Sequence, residues 1–123
     1  MSLDHWILDE NGNIVGPVDL MTWAKWFEIS RRIVKQEWVG DCWVSTVFLG
    51  IDHNFRRTGP PILWETMVFT NYKHIDQEWM TRCAGNKEQA EAMHEEMIKK
   101  VCKFEKINYE ELRTNNNETR TKQ

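Results

Sequence analysis

The chain has little that would commit it to a familiar chemistry. Its three cysteines, Cys42, Cys83 and Cys102, are odd in number and far apart, with no Cys-x-x-Cys pair. They match no zinc-ligand spacing and read as reduced, buried thiols of a cytosolic protein. No apolar run is long enough to span a bilayer, and the opening MSLDHWILDENG is too polar for a secretory leader, so no membrane partner is expected. Neither sign of charge dominates: 16 Lys and Arg against 19 Asp and Glu leave a formal charge of −3. That balance disfavours nucleic acid as a partner, because a nucleic-acid binder carries a basic face and a DNA mimic needs far more acid. Glycine-rich phosphate loops are absent too, since Gly59-Pro60-Pro61 is rigid and short of free N–H groups. Ser45 and Thr46 lie mid-strand, with no adjacent base to make either a nucleophile.

What is present is apolar and aromatic. The 123 residues are 41% hydrophobic and include seven Trp, enough for one core without staples. Two segments stand out, WVSTVFLGIDH at Trp43–His53 and PPILWETMVF at Pro60–Phe69, separated by NFRRTG. Their β-branched and aromatic content predicts central strands paired as a hairpin through the Asp52–Gly59 loop. Pro60 and Pro61 cannot donate to a ladder, so pairing should begin after them. Trp43–Asp52 is apolar on both faces, which predicts an interior strand covered on both sides.

Elsewhere, Asn11-Gly12 predicts a hairpin between His5–Glu10 and Asn13–Val18. Asp19 stands where a helix N-cap would, before LMTWAKWFEISRR, with Leu20, Trp23, Ala24 and Phe27 as its apolar stripe. Trp26 falls off that stripe, at its edge or exposed as an interaction handle. Ile33–Val39 reads as a strand, Gly40-Asp41 as a tight turn, and Gln77–Cys83 as a further strand. Asn86 and Gln89 form a capping-box pattern for a helix from Lys87 to about Ile107, with Ala90, Met93, Met97, Val101 and Phe104 inward. The resulting order is β-β-α-β-β-β-β-α. It predicts an α+β domain over residues 1–112, with a small, mostly antiparallel sheet of about six strands and two packed helices. Residues 113–123, without an apolar side chain, predict a disordered polar tail.

Chemistry-bearing side chains coincide with the paired strands. Asp52 and His53 end the first and Glu65 lies within the second, where burial demands a partner and exposure demands none. His94 borders the buried stripe of the long helix. If these four converge, two imidazoles and one or two carboxylates would suit one divalent transition metal, with His53 and His94 as ligands and Asp52 and Glu65 each as ligand or general base. Such a site would make the chain a small metal-dependent hydrolase or nuclease.

The segments VSTVFLGIDHNF (Val44–Phe55), PPILWETMVF (Pro60–Phe69) and AEAMH (Ala90–His94) resemble a family of short, uncharacterised proteins encoded by tailed phages and prophages. The DLMTWAKWFE helix is similar as well. The chain departs from the family pattern at Trp64, where Phe is usual, and at Cys83–Asn86. The resemblance implies a phage-borne accessory protein and supplies no activity. With no catalytic motif beside it, the leading expectation is a non-enzymatic protein without a cofactor, acting in the host bacterial cytoplasm by binding a host or phage protein. Self-association into a homo-oligomer is a variant of that expectation. Trp26, Trp38, Asn54, Arg56 and Arg57 are the expected contact residues.

Overall fold

The computed structural model describes residues 4–56, 58–70 and 79–122. β1 (His5–Leu8) and β2 (Ile14–Val18) pair as an antiparallel hairpin, its turn held by the Asp9 carboxylate, which accepts from the Asn11 and Asn13 amides at 2.9 Å each. α1 (Leu20–Ile29) follows, with Asp19 capping it through a 2.8 Å bond from the Thr22 amide. β3 (Ile33–Val39), β4 (Cys42–Phe48), β5 (Ile62–Phe69) and β6 (Met80–Ala84) form an antiparallel sheet in sequence order. α2 (Lys87–Glu105) packs across all four of these strands. It opens on the Asn86/Gln89 capping box and closes at Lys106, which is left-handed with φ 58°. The chain is thus α+β, and its described residues hold six antiparallel strands divided between two sheets instead of gathered in one.

Three expectations need correction. The chain has a third helix, α3 (Tyr109–Lys122), beyond the two packed helices expected, and it runs through the segment expected as a polar tail. Asn108 caps it by accepting from the Glu111 amide at 3.0 Å, and Ile107, Tyr109 and Leu112 pack against the core. Arg113, the first residue of that segment, pairs with Glu37 and Glu95. Second, the apolar stripe of α1 is rotated. Leu20 is 59% exposed and Ala24 is exposed, whereas Trp23, Trp26 and Phe27 turn inward, and Trp26 stands edge-on to Phe48 with ring centroids 5.7 Å apart. Third, β4 ends at Phe48 and, among the described residues, a helix roofs one of its faces. Gly50, at φ 77°, turns the chain away, and a Cβ there would meet Trp23 Nε1 at 2.9 Å. Gln77 and Glu78 of the expected fourth sheet strand lie outside the described residues.

The β4–β5 register aligns Val44 with Val68, Thr46 with Thr66, and Phe48 with Trp64. Alternation turns all six toward α2. One buried cluster collects Val39, Cys42, Val44, Val68, Met97, Ile98, Val101 and Cys102. A second collects Phe48, Leu63, Trp64 and Ala90. Between them lies a polar layer of Thr46, Thr66 and His94, each fully buried.

Candidate functional site

The polar layer is a continuous hydrogen-bonded chain. Thr66 Oγ1 lies 2.5 Å from Thr46 Oγ1, and Thr46 Oγ1 lies 2.6 Å from His94 Nδ1. His94 Nε2 lies 2.7 Å from Glu37 Oε2. The two ring nitrogens of His94 thus face the Glu37 carboxylate on one side and the Thr46 hydroxyl on the other. Arg113 of α3 completes Glu37 with bonds of 2.6 and 3.2 Å and also reaches Glu95 Oε1 at 2.6 Å. Glu95 accepts from the Tyr109 hydroxyl at 2.5 Å, and Lys35 lies 3.5 Å from Glu37 and 3.4 Å from Glu95. Burial disfavours the ionised form of Glu37, but hydrogen bonds from His94 and Arg113 outweigh it and hold its pKa down to about 2. Burial likewise opposes ionisation of Glu95, and the Tyr109 and Arg113 bonds bring its pKa below the ordinary value.

Thr46, His94 and Glu37 stand in the order hydroxyl, imidazole, carboxylate, an arrangement that activates a nucleophile where a substrate can reach it. Here the hydroxyl and the ring are both 0% exposed, so no substrate reaches Thr46. The chain ties α2 and α3 to the sheet and serves as scaffold. No cysteine forms a disulfide, and burial raises the pKa of the Cys83 and Cys102 thiols.

The four residues expected to converge do not. Glu65 pairs in register with Val47, one step from the Thr66 that aligns with Thr46, and so projects from the sheet face opposite His94. Its partner there is Arg82 Nε at 2.7 Å. Asp52 serves the β4–β5 loop, its Oδ1 accepting from the Asn54 amide at 2.7 Å and the Ile62 amide at 2.9 Å. His53 Nδ1 bonds the Ile51 carbonyl at 2.8 Å. Among the described residues no group of three His, Cys, Asp or Glu side chains is placed to hold a metal ion. A two-residue strand period set against a helix period carried the candidates to opposite sides of the sheet.

Of the expected contact residues, Trp26 packs into the core as described. Asn54 is engaged within its loop, donating to the Thr58 carbonyl at 2.7 Å and the Pro60 carbonyl at 2.9 Å. Arg56 is exposed, and Arg57 lies outside the described residues. Trp38 is different. It is 61% exposed and is the register partner of Trp43, which is in turn the partner of Phe69, 42% exposed. Alternation sets the three in a row across β3, β4 and β5 on the face away from α2. The Trp38 and Trp43 rings lie 5.1 Å apart at 52°. Beside them is a cleft of about 320 Å³ lined by Trp38, Asp41, Trp43, Phe69 and Thr70.

The Gly40-Asp41 turn positions this end. Gly40 has φ 58°, the positive value that the first place of a tight two-residue hairpin loop demands. A Cβ there would stand 2.8 Å from Glu105 Cδ. The Glu105 carboxylate in turn accepts from the Asp41 amide at 3.0 Å, tying the turn to the end of α2.

Glu37, Arg113, Trp43 and Phe69 were not singled out from the sequence. Trp43 and Phe69 carried a readable signal, since both faces of β4 are apolar while the chain supplies few helices to cover them. Comparison with protein-family models, with curated proteins and with solved structures gives no match. No described helix is long and apolar enough to cross a membrane.

Proposed function

We propose that the protein is a small accessory protein that acts by binding another protein through the aromatic end of its open sheet face. The observation that carries this reading is the Trp38–Trp43–Phe69 row. Exposed Trp and Phe set contiguously across three strands are costly in water, and such groups anchor protein interfaces. The apolar content of both faces of β4 is that of a strand covered twice, and α2 covers one face. The sealed Thr46–His94–Glu37 chain supports a non-catalytic role, because the molecule's one hydroxyl–imidazole–carboxylate series among the described residues is enclosed. The motif resemblance of Val44–Phe55 and Pro60–Phe69 favours a phage-borne protein at work in the cytoplasm of its bacterial host.

Affinity capture from bacterial cells with the wild type and with a Trp38→Ser/Phe69→Ser double variant tests the reading. A specific protein recovered by the wild type and lost with the folded variant is the expected result. Identical recoveries, or none across repeated captures, would count against it.

A further inference from the structure

We propose that the cleft at the β3–β4 turn receives an arginine side chain of the partner protein, its guanidinium stacked on the exposed tryptophan surface and paired with Asp41. The proposal rests on the protein-binding reading and names the chemistry of the contact. Trp38, Trp43 and Phe69 line the cleft with aromatic rings, and the negative quadrupole of a ring face attracts a cation. Asp41 is the one charged residue among the described lining, and no described cation neutralises that carboxylate within the cleft. Its amide is bonded to the Glu105 carboxylate, in a turn whose preceding residue, Gly40, takes the positive φ of 58° that favours glycine.

The charge pattern discriminates between occupants. An aliphatic side chain would cover the aromatic row but leave the Asp41 carboxylate against an apolar group. A second copy's equivalent cleft would offer further aromatic rings and a second Asp41 carboxylate, but no cation for the first. A cation satisfies ring and carboxylate together. Arginine suits the site better than lysine because its planar guanidinium stacks and forks at once, whereas the ammonium is a strongly hydrated point charge. The same stacking occurs within this molecule, where the Arg32 guanidinium lies 3.6 Å above the Phe27 ring. A volume of about 320 Å³ suits a single long side chain entering alongside its own methylenes.

The probe is acetyl-Gly-Arg-Gly-amide, compared with the same peptide carrying citrulline, the uncharged counterpart, and with the lysine peptide. Indole N–H resonances of the full chain, assigned by Trp38→Phe and Trp43→Phe variants, report the site. The expected result is a saturable shift of the Trp38 and Trp43 signals by the arginine peptide, at least tenfold weaker with citrulline and weaker with lysine. Asp41→Asn should weaken arginine binding about threefold, the scale of an exposed charge pair. Equal shifts from arginine and citrulline, a lysine peptide that binds as well or better, or no shift from arginine at all would overturn the assignment. The binding reading itself is decided separately, by the capture experiment, where recovery of the same proteins with the Trp38→Ser/Phe69→Ser variant as with the wild type would overturn it.

Discussion

Arg113 brackets Glu37 across 76 positions of sequence, with Nη1 2.6 Å from Oε1 and Nη2 3.2 Å from Oε2. The same guanidinium takes Glu95 of α2, so a single side chain joins α3, α2 and the edge strand β3. Glu37 also holds His94, and through it the threonine pair that divides the core. The scaffold therefore depends on a residue in a segment whose composition resembles a tail.

Arg113→Gln should destabilise the fold by about 2–3 kcal/mol, because it strips two partly buried carboxylates of their hydrogen-bonded guanidinium and leaves them only the longer contacts to Lys35. Chemical denaturation reads this, and truncation after Leu112 should cost at least as much. A loss below about 0.5 kcal/mol, the range of an ordinary exposed pair, would show the network to be ornamental.

Stability should fall in acid through Glu37. Its folded pKa, about 2, lies below the ordinary 4.5. A depressed carboxyl contributes stability that is complete above its unfolded pKa and is lost as pH falls toward its folded pKa. The decline should thus set in below about pH 4.5 and run toward pH 2, with Glu95 adding in the same direction. Glu37→Gln should flatten that decline in melts taken across the range. A variant profile parallel to the wild type would assign the acid sensitivity elsewhere.

Thr46→Val keeps the side-chain shape but strips His94 Nδ1 and the Thr66 hydroxyl of their shared buried partner. The expected cost is about 1–3 kcal/mol. Partner capture should be unchanged, because Thr46 faces α2 and the aromatic row faces away. Loss of capture at retained stability would make the buried chain functional rather than structural.

The local elements were legible because their signals are local. Asn11-Gly12 gives the β1–β2 turn, Asp19 and Asn86 give the helix starts, and the two apolar runs pair in the expected hairpin. The candidate site was not, because it depends on parity. Glu65 and Thr66 are neighbours in sequence and lie on opposite faces of one sheet, so the register alone decides which of them meets His94. α3 was missed for a different reason: its hold comes from Arg113 and Tyr109 meeting charges 76 and 14 positions away. The double apolar face of β4 was read as two internal layers, whereas α2 supplies one.

Site-specific photo-crosslinking in bacterial cells addresses the central claim most directly. A benzophenone side chain is placed at Phe69, within the aromatic row, and separately at Glu96, on the solvent side of α2. The account predicts a discrete protein adduct from position 69 that is absent from position 96 and disappears when Trp38→Ser is added. No adduct from position 69, or the same adducts from both positions, would contradict it.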